Sequence, residues 1–410
     1  MKLRYFSFFE IKIKILLLVL LFFFLGVFSS STPDFIGIFE LIIIFLSLVI
    51  FNFIVFSNFI FDDLKSGRYI VLSLVYYCSI PLFFSVNNGI DIYSILRDLI
   101  PLFFVYVPFL LFRVLKEEEY KYILWGILFI GISYSFRFLL SIDFNLKSIG
   151  RSFFYGDMNY YQMDPSVLFS SLYFFYLLFL TKLSKKKKFF YSILGAFTFL
   201  PYVLSVVRFP LISILLFVFM NLILIQFEHL SKGKIISPIF ILILLLIVFL
   251  LLYDFFADIF NLILAKTSKA GLLNSRDLEF KFIINSLSTD LKTFLFGMGW
   301  GSYIFSVGTS KFRYVHNIFL YFFAKSGLIG LLLLLYYLYL VFSNLFFGLK
   351  KYKKIFKYNV IYILISFLTF AFILEPCFKM FTTYLIIFVF MNTDLFFKVS
   401  AKTNQKDVVN

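Results

Sequence analysis

The chain has 410 residues, 62% hydrophobic and only 15% charged, with a mean hydropathy of +0.98. A soluble domain is roughly half apolar and a quarter charged, so this balance excludes an ordinary water-soluble globular protein. The formal net charge of +16 could signal nucleic-acid binding, but the basic residues fall where a membrane protein puts them. The 66 phenylalanines are spread through every apolar run, which marks them as lipid-facing filler and not as an aromatic binding stripe.

Taken in order, the chain opens with Lys2, Arg4, Lys12 and Lys14, followed by an apolar run over 15–28 and Ser29-Ser30-Ser31. That layout also fits a signal peptide. Because the rest of the chain inserts itself, the run is expected to stay as a first span. Further spans are expected at 37–57, 69–86, 99–115, 123–142, 165–183, 189–207, 211–227, 235–253, 317–347, 359–375 and 380–397, since apolar runs of about 20 residues cross a bilayer as helices. The expected fold is therefore an all-α integral membrane protein of about twelve transmembrane helices, one polytopic domain over 1–410. An even number of spans leaves both termini on one side.

Basic residues decide which side. Lys65 and Arg68, Arg113, Lys116 and Lys121, the run Lys185, Lys186, Lys187 and Lys188, Lys232 and Lys234, and the cluster from Lys350 to Lys357 occupy alternate connections, and both tails join that set. The positive-inside rule makes these cytoplasmic. The lysine run then reads as a topology signal beside anionic headgroups, and no RNA- or DNA-binding module is visible.

Two connections on the opposite side stand out. The first, 143–164, holds Lys147 and Arg151 and ends in Asp164-Pro165, a helix start with Asp as cap and Pro in the first helical position. The second, 254–316, lies between the ninth and tenth spans and is expected to contain short helices. Its aromatic content argues for packing over disorder, and 277–291 has a mixed helical pattern suited to a membrane surface. Gly297-Met298-Gly299-Trp300-Gly301 reads as a flexible turn. Neither Cys78 nor Cys377 has metal-type or disulfide-type spacing, and no metal site or cofactor is expected.

Chemistry-bearing residues cluster on this outer side. His316 is one of two histidines and stands just before the long helix expected from Asn317. A helix start offers free N–H groups and partial positive charge. These attract anions and disfavour further positive charge on the imidazole, leaving it able to accept a proton. The same position also suits a capping or hydrogen-bonded histidine. Arg208, at the short turn Val207-Arg208-Phe209-Pro210, has the planar fork that fits a diphosphate, or it reaches to headgroups. Arg276 lies in Asn274-Ser275-Arg276-Asp277, where a surface arginine is the simpler reading. A helix over 317–347 would be about 46 Å long against a core of about 30 Å. It must therefore extend beyond the bilayer or bend near Gly327, which puts Lys325 near the outer interface. Gly327 and Gly330 read as close-packing positions. Arg137 is a cation inside a span that could face the same cavity, and His229 reads as a cytoplasmic surface residue.

His316-Asn317, nine residues and then Gly327-x-x-Gly330 resemble the signature of the O-antigen ligase and O-antigen polymerase superfamily. The order before it is similar too: Arg208 after a span, Ser275-Arg276 early in the long loop, and Leu295-Phe296-Gly297-Met298-Gly299 ahead of the histidine. The resemblance covers about 203–333. At Lys325 this chain has a base where an acidic residue is common. The resemblance implies a bacterial inner-membrane enzyme, with 254–316 as a large periplasmic loop, that transfers glycans from an undecaprenyl-diphosphate carrier. It implies Arg208 and Arg276 on the donor diphosphate, His316 activating the acceptor hydroxyl, and Arg151, Arg313 and Asn317 as further substrate contacts. It also implies a flippase and a chain-length regulator as protein partners. The leading expectation is a polymerase of oligosaccharide repeat units for O-antigen or capsule. A ligase transferring the glycan to lipid A–core or to a protein shares the signature. A flippase or other transporter would need charged residues lining a path through the spans, and these are scarce.

Overall fold

The computed structural model describes residues 19–28, 65–114, 119–141, 161–180, 184–205, 207–231, 276–307, 310–312, 315–349 and 354–392. Within them the protein is largely helical. The helices are α1 (Val19–Phe28), α2 (Lys65–Asn87), α3 (Ile92–Phe104), α4 (Val107–Val114), α5 (Tyr120–Leu140), α6 (Pro165–Leu180), α7 (Lys185–Ser205) and α8 (Arg208–Ser231). They continue with α9 (Arg276–Leu287), α10 (Leu291–Phe296), α11 (Ile318–Leu349), α12 (Lys354–Leu368) and α13 (Phe381–Met391). A π-helical turn, Thr369–Leu374, and a 3-10 turn, Pro376–Lys379, join α12 to α13.

Four segments are long and apolar enough to cross a membrane: Ile92–Phe109, Tyr120–Leu140, Lys185–Ser205 and Ile318–Phe346. Six shorter apolar helices accompany them. This is compatible with a membrane protein. The spans expected at 37–57 and 235–253 lie outside the described residues. The span expected at 99–115 begins earlier, at Ile92, and is divided in two. Pro108 has no N–H for the carbonyl of Phe104, four residues before it, and α3 ends at Phe104. The long loop is not purely helical either. Phe305–Val307 (β1) pairs antiparallel with Ser310–Phe312 (β2), Phe305 opposite Phe312.

The core is organised around α13, every residue of which is buried. It packs on α4, α5, α6 and α11, and the Tyr120 hydroxyl of α5 donates to its Val389 carbonyl at 2.9 Å. The Asp164-Pro165 start forms as expected: the Ser166 N–H donates to Asp164 Oδ1 at 2.8 Å, and Thr382 of α13 donates to Oδ2 at 2.9 Å. One cap thus serves α6 and ties it to α13. Arg137 binds the Gly26 carbonyl at 3.2 Å and the Tyr161 hydroxyl at 3.0 Å, and its guanidinium lies 4.3 Å from the Tyr161 ring centre. That arginine joins α1, α5 and the turn before α6.

The feature that positions the rest is a break in α11. Gly327 has φ 67 and ψ −168, a conformation that is essentially glycine's alone. A break leaves carbonyls without their helical donors, and each of the three before Gly327 has another. Met298 N–H donates to Ala324 O at 2.8 Å, Gly299 N–H to Lys325 O at 3.0 Å, and the Tyr76 hydroxyl to Ser326 O at 2.6 Å. Gly297-Met298-Gly299-Trp300-Gly301 is therefore not a flexible turn but a strap seated in the break, with Trp300 fully buried. Its glycines allow the approach. Gly297 and Gly299 both have positive φ, and a Cβ on Gly297 would lie 2.5 Å from the Lys325 carbonyl.

The strap also repairs a second helix. Pro81 inside α2 supplies no N–H to the Tyr77 carbonyl, and Trp300 Nε1 donates there at 2.8 Å. Tyr69, Tyr76 and Tyr77, spaced seven and eight apart on one face of α2, donate to carbonyls of Leu333, Ser326 and Gly330. The partner order fixes α2 antiparallel to α11.

Candidate functional site

His316 stands immediately before α11. Asn317 caps that helix: its side-chain oxygen accepts from Phe319 N–H at 2.8 Å and Leu320 N–H at 3.3 Å. The Asn317 carbonyl oxygen is thus committed, and only its amide nitrogen is left for a substrate. The cap fixes where the chain turns into α11 and so where His316 projects.

The partner of His316 is Glu279, which nothing in the local sequence marks. The imidazole Nδ1 lies 2.8 Å from Glu279 Oε1, and the His316 backbone N–H reaches Oε2 at 3.4 Å. A carboxylate only accepts, so Nδ1 is the nitrogen that carries a proton toward Glu279, and Nε2 is the one turned to other partners. The imidazole is 29% exposed and the carboxylate 9%. One nitrogen is held by a buried acid while the ring stays open to the outside, the arrangement a general base requires.

Glu279 comes from α9, whose first residue is Arg276. The fold thus brings the stretch carrying Arg276 to His316. Arg208 opens α8, which packs chiefly on α6, α7 and α12, different elements from those that hold His316. Its neighbour Phe209 stacks on Phe370 of the π-helical turn, ring centres 6.4 Å apart, and that turn touches α11. Arg151 and Arg313 lie outside the described residues. His229 lies near the end of α8.

A charged cluster lies further along α11, next to the Gly327 break. Lys325, expected near the outer interface, is fully buried. Its Nζ lies 2.8 Å from Asp98 Oδ2 and donates to the Ser302 carbonyl at 2.6 Å. Asp98, 1% exposed, also accepts the Gly301 N–H at 2.7 Å and has Lys379 Nζ 3.7 Å from Oδ1. Lys379 lies 4.5 Å from the centre of the Tyr321 ring. A lone acid beside Arg97 was the available signal for Asp98. Placing the start of that span at 99 left Asp98 in a loop. Among the described residues no three His, Cys, Asp or Glu side chains gather as metal ligands.

No family model matches the chain, and no curated protein is significantly similar to it.

Proposed function

We propose that the protein is a membrane glycosyltransferase that polymerises undecaprenyl-diphosphate-linked oligosaccharide repeat units into O-antigen or capsular polysaccharide, on the periplasmic face of a bacterial inner membrane. The observation that carries this reading is the His316–Glu279 pair at the start of α11, with Glu279 on the helix that Arg276 opens. In this reading His316 Nε2 takes the proton of an acceptor sugar hydroxyl as its oxygen bonds to the donor's anomeric carbon. The bond from that carbon to the carrier diphosphate breaks, and the diphosphate leaves with the electron pair. Glu279 stabilises the imidazolium that forms, as a carboxylate hydrogen-bonded to Nδ1 does in other acid–base pairs. Arg276 and Arg208, with Arg151 and Arg313 in support, would carry the charge growing on the diphosphate. The donor arrives activated, so the step as written needs no cofactor.

The twelve-span arrangement, the cytoplasmic termini and the periplasmic 254–316 loop belong to this proposal. They place His316 where a lipid diphosphate headgroup would lie. The test is deletion of the gene followed by gel analysis of surface glycan, then complementation with wild type or His316→Ala. Single repeats on an intact core after deletion, restored to long chains by wild type alone, support a polymerase. Unattached polymer accumulating on the carrier lipid would make it a ligase. Long chains made by a stably inserted His316→Ala protein would refute the mechanism.

A further inference from the structure

The segment 318–326 is a short helix of about 13 Å between the histidine and the Gly327 break. At the break end, Met298, Gly299 and Tyr76 hold it by hydrogen bonds to the carbonyls of Ala324, Lys325 and Ser326. Helix carbonyls point along the axis, so these bonds fix the segment at its broken end. The rings of Tyr321, Phe322 and Phe323 pack against Trp300, Phe378, Tyr77 and Phe294, and the ion pair of Lys325 with Asp98 on α3 adds a directional polar contact that opposes rotation. Tyr321 lies one turn from Lys325 and one turn from Asn317, and its N–H donates to the Asn317 carbonyl at 2.9 Å.

We infer that Asp98 and Lys325 are positioning residues for His316: their buried ion pair sets the rotation of segment 318–326, and with it the direction of the imidazole. This rests on the proposed role of His316. Lys325 is fully buried and Asp98 nearly so, which suits a role through other residues better than direct contact with a substrate. Stability alone does not call for the pair, because apolar replacements of buried ion pairs are often as stable or more so. The pair instead joins α3, the strap and α11 at one point: Asp98 Oδ2 takes both Lys325 Nζ and the Gly301 N–H, and Lys325 also takes the Ser302 carbonyl.

The test uses the full-length protein in lipid nanodiscs, in a His229→Gln background that leaves one histidine. Nitrogen NMR of isotope-labelled histidine then reads the His316 tautomer and its Nδ1 hydrogen bond directly. Lys325→Met is the first variant, because Lys379 remains as a counter-charge for Asp98. The second is Asp98→Asn with Lys325→Met, which removes both charges and keeps an acceptor for Gly301. The expected result is a folded protein whose Nδ1 resonance shifts toward a mixture of tautomers. With it, kcat on a purified lipid-linked donor falls roughly 10- to 100-fold while KM changes little, as for a misaimed catalytic group. Folded variants with the background resonance and kcat would overturn the inference. A shifted resonance in the variants, together with no glycan transfer by the unmutated protein, would support the positioning role and sink the polymerase reading instead.

Discussion

An imidazole whose Nδ1 faces a carboxylate has one nitrogen committed and the other free, and that division makes His316 more than a helix cap. Capping is done by its neighbour Asn317. If His316 is the base, His316→Ala lowers glycan transfer about 10²- to 10⁴-fold without lowering the amount of inserted protein, as single-turnover assays on purified donor would show. Glu279→Gln keeps an acceptor for Nδ1–H but removes the charge that favours the imidazolium. A hydrogen bond to a charged group exceeds a neutral one by about 1 kcal/mol, so the expected loss is roughly fivefold. Equal losses for Glu279→Gln and Glu279→Ala would mean that the carboxylate is not simply orienting the ring. His316, Asn317 and Arg276 stand out in the sequence as site candidates because polar residues are conspicuous in an apolar chain. Glu279 does not, because its role depends on which loop helix folds back onto α11.

At the scale of elements, two helix defects, Pro81 in α2 and Gly327 in α11, share one remedy in the strap. Trp300→Phe keeps most of the buried ring and deletes the Nε1 donor, leaving the Tyr77 carbonyl unsatisfied. The expected cost is about 1–3 kcal/mol, read as a lower midpoint in thermal unfolding of the purified protein. Gly327→Ala should be worse. A Cβ there would run into the Leu295 carbonyl, and the positive φ with extended ψ suits only glycine. Little folded protein is expected, and normal yield would contradict the break.

Asp164 supplies a pH test at the same scale. It lies just ahead of α6, where burial pushes its carboxyl up to about 6 against the opposing hydrogen bonds from Ser166 and Thr382. The folded state therefore keeps a proton between about pH 4 and 6 that the unfolded chain has released. Stability falls as pH rises through that window and is level above it. Asp164→Asn keeps an acceptor for Ser166 and removes the slope, gaining up to about 3 kcal/mol at neutral pH. A wild-type unfolding midpoint that does not fall between pH 4 and 6 would refute the buried, uncompensated carboxylate.

For the molecule as a whole, orientation is the property on which the proposed chemistry depends. Ser288 lies at an exposed turn after α9, and Lys186 is exposed at the start of α7. In a Cys78→Ser background, Ser288→Cys should react with a membrane-impermeant maleimide in intact spheroplasts, and Lys186→Cys only after permeabilisation. The reverse pattern would put His316 in the cytoplasm, away from any external carrier lipid.

The sequence by itself determined that the described residues are largely apolar helix and where most of those helices lie. These follow from local hydrophobicity and from Pro, Gly and cap residues, which act within a few positions of themselves. It did not reveal that the strap is seated in a helix break, that Lys325 is buried among protein groups, or that the span expected at 99–115 is divided at 105–106. Only the tertiary structure decided these. A broken carbonyl and a buried charge must each find a partner, and the partners that Ala324, Lys325 and Tyr77 find lie 23 to 227 residues away in the chain. No local pattern encodes such pairings; they exist once α2, α3, the strap and α11 are folded against one another.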